Sequence, residues 1–129
     1  MSTTSGPKGV LGTTYLAGGV IVKNRFVKQG ADADHVVQAT AASVNVGVAT
    51  DNQDNTEKVV SVLQKPGETV RIEAGAAFAL GAKLASDANG KAVLATTGQP
   101  VSAIAREAST AATQLVVCEL VNSSVTLAP

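Results

Sequence analysis

His35 is the only histidine of the chain, and Asp32 and Asp34 stand beside it. An imidazole with two carboxylates this close could bind a transition metal or move a proton. A metal site takes three or four ligands, however, and no second histidine exists to complete one. The residues fit a solvated turn feeding a strand. A second oxygen-rich stretch, DNQDNTE, carries donors at Asp51, Gln53, Asp54, Asn55 and Glu57. Calcium prefers such oxygens, but the stretch lacks the glycine and the bidentate glutamate of a calcium loop, and it reads as a polar loop.

The remaining candidates fail on chemistry. Ser and Thr are plentiful, yet His35 is the sole base that could activate one, and no G-x-S-x-G elbow occurs. Cys118 lies in an apolar run, where a thiol is inert filler. Lys83 stands two residues past Gly81, with Leu84 after it, so Gly75 and Gly81 do not build a phosphate loop. Glu68 and Glu73 could pair for glycoside chemistry, but no aromatic lining for a sugar accompanies them. Asn122-Ser123-Ser124 matches a glycosylation acceptor, which carries meaning only in a secreted chain. The expectation is no enzyme, no cofactor and no metal.

Composition supports a structural role. The 129 residues include only three aromatics, Tyr15, Phe26 and Phe78, so the core must come from Val, Leu, Ile and Ala. Ten basic residues balance ten acidic ones. Nucleic-acid binding would call for a basic patch, and none is visible. No run approaches 18 apolar residues, so no membrane span is expected. The lone cysteine excludes an internal disulfide and fits synthesis in a reducing cytoplasm.

The elements that must carry these residues are short. Met1 to Gly19 is rich in Ser, Thr and Gly. It is either a loose terminus or an arm that orders on a neighbour, with Val10, Leu11, Tyr15 and Leu16 as anchors. Residues 20–129 form one β-rich domain. Val20–Lys28 is strand-like, with Val20, Val22 and Phe26 on one face. His35–Thr40, then Val44, Val46 and Val48 on one face of the next run, then Lys58–Gln64, continue the pattern. Lys65-Pro66-Gly67 is a turn. Thr69–Glu73 is a strand. AAFALGAKLAS contains good helix formers, but Gly75 and Gly81 bracket it too tightly, and an extended path is expected. Asp87-Ala88-Asn89-Gly90 predicts a type I′ hairpin joining Lys83–Ser86 to Ala92–Ala95. Val101–Ala105 and Gln114–Val121 follow, the last apolar on both faces and therefore central or covered. A faint echo at an offset of about 55 residues pairs Asp32-Ala33 with Asp87-Ala88 and Gly47-Val48-Ala49 with Ala103-Ile104-Ala105. A duplicated sheet motif or chance would explain it. The fold class expected is all-β: a small barrel or sandwich of short antiparallel strands.

Several of these motifs together resemble a known family. Ala74-Gly75-Ala76-Ala77, Leu80-Gly81-Ala82-Lys83-Leu84, Ser86-Asp87-Ala88-Asn89-Gly90-Lys91 and Val101-Ser102-Ala103-Ile104-Ala105 look like the small capsid decoration, or head cement, proteins of tailed bacteriophages. Gly47-Val48-Ala49 resembles the G-V-A of that family's first half. Ala82 stands where the family has an aspartate, and Ala103 where it has a glycine. The resemblance implies a non-enzymatic virion protein on the capsid surface, made in the host cytoplasm. Its partner would be the major capsid protein, whose lattice it stabilises, and it would self-associate as a homotrimer. The N-terminal arm, with Val10, Leu11, Tyr15 and Leu16, would make the capsid or subunit contact. A tail- or fibre-associated module and a small ligand-binding β-domain are the alternatives.

Overall fold

The structure, a computed structural model, describes residues 13–122. Ten strands and no helix occur among them. They are β1 (Thr13–Ala17), β2 (Phe26–Gln29), β3 (His35–Gln38), β4 (Asn45–Ala49) and β5 (Val59–Leu63), then β6 (Thr69–Glu73), β7 (Lys83–Ser86), β8 (Ala92–Leu94), β9 (Ala103–Ala105) and β10 (Leu115–Leu120). None exceeds six residues. The all-β class and the extended path after Gly75 are as the sequence indicates.

The strands build two five-stranded units. The first is a closed barrel in the order β1-β3-β2-β4-β5, and the second is a sheet in the order β6-β10-β9-β7-β8. Replacing each strand of the barrel by the one five places later gives the order of the second sheet read in the opposite direction around the ring, with the neighbours β6 and β8 joined only by the bridge Ala74–Ala92. The equivalence holds residue by residue. In the first unit Val27, Lys28 and Gln29 pair with Gln38, Val37 and Val36. In the second Leu84, Ala85 and Ser86 pair with Leu94, Val93 and Ala92. The lone bridge Ile21–Gln53 has its counterpart in Phe78–Ser109. Left-handed backbone recurs at Asn24, Ala42 and Glu57 and again at Gly81, Gly98 and Thr113. The offset is 57 residues through β2, as from Ala17 to Ala74, and 56 after it, as from Val36 to Ala92. The second copy is therefore one residue shorter in the turn after its second strand. The echo in the sequence is a duplication of the fold.

The cores match as well. The first barrel buries Ala17, Ile21, Val27, Val36, Ala49, Val60 and Val62. The corresponding residues of the second, Ala74, Phe78, Leu84, Ala92, Ala105, Val116 and Cys118, are all buried too. Enlargement at Phe78 and Leu84 is offset by reduction at Ala92 and Cys118, which keeps total volume near constant, as a packed interior requires. Phe26, Ala39 and Val48 lie in the first unit but join the second unit's core. Phe26 and Val27 are adjacent and both fully buried, on opposite faces of β2. Val27 fills its own barrel, and Phe26 joins the two. Lys83, the counterpart of Phe26, is exposed.

Polar contacts reinforce this junction. Asn45 is 8% exposed; its amide donates to Ser102 Oγ at 2.8 Å and to Ser86 Oγ at 3.2 Å. Ser43 Oγ donates to Asn45 Oδ1 at 2.6 Å, and Ser86 Oγ to the Thr40 carbonyl at 2.6 Å. Arg25 Nε lies 3.0 Å from Glu73 Oε1, and Lys91 Nζ 3.5 Å from Glu73 Oε2. Burial works against ionisation of Glu73, but the Arg25 bond and charge, helped by Lys91, hold its carboxyl below the usual range. Among the described residues no buried side-chain nitrogen or oxygen lacks a partner.

Three local expectations are corrected. Val20 does not share a buried face with Phe26: it is 60% exposed and Ile21 is buried instead, because β2 begins only at Phe26. Val44 is exposed while Asn45 points inward to the junction. The Asp87–Gly90 hairpin connects the strands expected, but only Gly90 has positive φ, at 81°, so the turn is not type I′. Asp87 Oδ1 accepts the N–H groups of Asn89 and Lys91, and the Gly90 N–H donates to the Asp87 carbonyl. That is a type I turn followed by a left-handed glycine, fixed by an Asx contact.

Candidate functional site

Of the four expected contact residues, Val10 and Leu11 lie outside the described residues. Tyr15 and Leu16 are in β1, which the arm ending at Gly19 would have included. Thr13–Ala17 is a structural strand of the first barrel: it pairs antiparallel with β5 through Thr13–Val62 to Leu16–Val59. It also pairs in parallel with β3 through Leu16–His35 and Ala17–Val36. Tyr15 packs partly on the barrel core, and its hydroxyl donates to Gln64 Oε1 at 2.5 Å. Burial pushes its pKa up, the bond to Gln64 opposing.

The parallel β1–β3 pair is the seam that closes this barrel, and His35 sits on it. The ring is largely buried, 16% exposed. Its Nδ1 lies 2.6 Å from Asp32 Oδ1 and its Nε2 2.8 Å from Glu57 Oε2. Both carboxylates are open to solvent. Asp32 comes from the β2–β3 turn, where its Oδ1 also accepts the Asp34 N–H at 3.1 Å. Glu57 comes from the loop before β5, in left-handed backbone at φ 68°, with its N–H bonded to the Ala17 carbonyl at 2.8 Å. The three side chains border an open recess of about 330 Å³. The turn thus places Asp32 on His35 as their proximity in sequence suggests. Glu57, 22 positions away in the loop read as plain, is the partner that no local pattern reveals.

Three other side chains of the 51–57 loop spend an oxygen on the fold. Asp51 Oδ2 accepts the Ser61 N–H, Asn52 Oδ1 the Lys23 N–H, and Gln53 Oε1 the Asn55 N–H. Among the described residues no group of three or more His, Cys, Asp and Glu is arranged to hold a metal ion. Cys118 is fully buried in β10, and burial, with Glu107 adding repulsion, pushes its thiol up to about 12. At neutral pH it is a packed thiol. β10 pairs with β6 on one side and β9 on the other, so its two-faced apolar pattern belongs to an interior strand.

What the surface offers is apolar. Val20, Val44, Val59, Leu80, Leu94 and Leu115 are large and exposed. Val59 and Leu115 are the first residues of β5 and β10, equivalent positions in the two units. The second unit is also less well sealed. Its seam is the single parallel bridge Ala74–Ala92, because the Glu73 N–H bonds to the Asn24 carbonyl, whereas its counterpart Leu16 bonds to the Asp34 carbonyl across the first seam.

No family model matches the sequence, and no curated protein matches it. In three dimensions the chain is similar to the crystal structure of the N base of the head fibre protein gp8.5 of bacteriophage phi29. The match covers 90% of this chain and 96% of that one, with a TM-score of 0.70 and 23% sequence identity. At that identity the shared property is the fold.

Proposed function

We propose that this protein is a non-enzymatic structural component of a bacteriophage virion. It binds the outer surface of the head and stabilises the lattice of the major capsid protein. The observation that carries the reading is the likeness, along nearly the whole of both chains, to the base of a phage head fibre. The chemistry of the chain is compatible. His35 and Cys118 are engaged in bonds and packing within the fold, while exposed Val59 and Leu115 occupy one equivalent place in the two units. A lattice presents its partner at high local concentration, so weak repeated contacts suffice. Self-association as a homotrimer would multiply them further.

The contact is assigned to residues 1–12 together with Tyr15 and Leu16 of β1. The test is cosedimentation of purified protein with expanded heads, comparing the full chain, a chain without residues 1–12, and L16D. Removing residues 1–19 would be uninformative, since it deletes β1 from the barrel. Binding by the full chain and loss of binding in a folded L16D supports the assignment. Absence of binding by the full chain overturns the capsid reading.

The likeness to a fibre base also favours a second reading, in which the protein anchors a fibre to the head without strengthening it. The two readings differ in one measurement. A stabilising protein raises the temperature at which saturated heads release DNA or lose integrity, and a fibre anchor leaves it unchanged.

A further inference from the structure

We propose that His35, Asp32 and Glu57 form a pH-sensitive clasp over the parallel seam of the first barrel, closed by the imidazolium and opened when the ring loses its proton. The inference stands independently of the virion reading.

The geometry requires the charged ring. Each imidazole nitrogen faces a carboxylate oxygen, at 2.6 and 2.8 Å. An imidazolium donates from both nitrogens, whereas a neutral ring donates from one and turns a lone pair toward the other carboxylate. Loss of the proton therefore breaks one contact and replaces it by repulsion. Nothing nearby rescues that arrangement. Among the described residues neither Asp32 nor Glu57 is paired with a lysine or arginine, and Asp34 adds another acid to the same turn. From β1 and the residue that follows it the neighbours are Leu16 and Gly18, which carry no charge.

The clasp spans the elements that meet at the seam. His35 is the β3 partner of Leu16, Asp32 lies in the turn whose Asp34 carbonyl accepts the Leu16 N–H, and Glu57 is bonded through its backbone to Ala17 at the end of β1. Opening it loosens the β3 side of β1, the strand that follows residues 1–12, while the antiparallel pairs to β5 remain. The duplicated unit provides the contrast. Lys91 and Thr113 occupy the places of His35 and Glu57, and Lys91 turns to Glu73 instead. The unit without the triad meets at its seam through the single bridge Ala74–Ala92, whereas the unit that has it forms two parallel pairs there.

The direction of the titration agrees. The bond to Asp32, then that to Glu57, raises the His35 pKa above 6.5 against a smaller opposing effect of burial, and the bond to His35 lowers that of Asp32. A histidine with a raised folded pKa contributes stability that is complete below its unfolded value. That contribution disappears as pH rises from about 6.5 through the folded value.

The test uses the full chain, in which His35 is the only histidine and gives a single imidazole signal by NMR. The expected result is an apparent pKa above the ordinary value, lowered in both D32N and E57Q. Hydrogen-exchange protection factors at Leu16 and Gly18 should fall as pH rises through it, while the factor at Gly75, the counterpart of Gly18, stays level. The fall is about tenfold for each unit by which the folded pKa exceeds the unfolded one. In H35Q the pH dependence disappears; should that variant not fold, the two carboxylate variants carry the test. Titration at or below the ordinary value, or seam protection that ignores pH, overturns the proposal.

Discussion

Replacing Phe26 by alanine should uncouple the two units, and the size of the effect follows from its position. Phe26 is fully buried, its backbone belongs to β2, and its side chain belongs to the core of the second unit. Loss of a buried phenylalanine ring removes roughly 150 Å² of apolar contact, or about 4 kcal/mol at 25 cal/mol per Å². That agrees with the roughly 3–5 kcal/mol typical of Phe to Ala in cores. Against a total stability of about 5–15 kcal/mol the loss is large. With a urea slope of about 2 kcal/mol/M the midpoint should fall by about 2 M. Two native reporters separate the units: Tyr15, the only tyrosine, lies in the first, and Cys118, the only cysteine, in the second. Tyrosine fluorescence and pulsed thiol labelling should give one coincident transition in the parent chain. In F26A the Cys118 transition should drop ahead of the Tyr15 transition. V27A, one residue away on the other face, should weaken the Tyr15 transition first. A shift below about 0.5 M in F26A, or a Cys118 transition left in place, refutes the assignment of Phe26 to the shared core.

Other substitutions probe the same architecture. A β-carbon on Gly47 would lie 2.1 Å from the Leu63 carbonyl oxygen, so G47A should cost at least about 3 kcal/mol in chemical denaturation. A42G should instead stabilise by about 0.5–1 kcal/mol, because Ala42 has φ 54° where the second unit has Gly98. R25M should cost about 1–2 kcal/mol at neutral pH, since Lys91 still faces Glu73 and the site is only partly buried. Glu73 is held below 4.5 in the folded chain, so its contribution is present above about 4.5 and lost as pH falls through the folded value. The gap between R25M and the parent in a pH series of denaturation curves should therefore close at acid pH.

The all-β class, most strand positions and the place of the Asp87–Gly90 hairpin were legible because each rests on local signals: β-branched runs, Gly punctuation and an Asn-Gly pair. Alternation failed at Val20 and Val44 because their runs are not yet strand, and a period of two has no meaning before pairing begins. It failed again at Asn45, a polar residue that looks solvent-facing until a second unit covers it with Ser86 and Ser102. The first strand was hidden in a Gly- and Thr-rich segment whose partners lie in β3 and β5. The duplication was audible only as scattered Ala, Gly and Thr. Backbone constraint recurs at positions such as Glu57 and Thr113, where side-chain chemistry does not. Glu57 was invisible as a partner of His35 for the same reason, since the contact is made by the closed barrel.

The matched registers of the two units carry a cost during folding. β6 can form with β5, or β1 with β10, the same backbone ladder that the native pairs make, so the chain presents each strand with a decoy of its own design. Such exchange would trap a half-built molecule, or tie two chains together through swapped strands. The residues that differ between the copies then act as sorting labels. Arg71 and Glu73 stand in β6 where Thr14 and Leu16 stand in β1, and Glu73 reaches its guanidinium partner only in the correct slot. Divergence of the two sequences is in this sense what allows a repeated fold to assemble in one order.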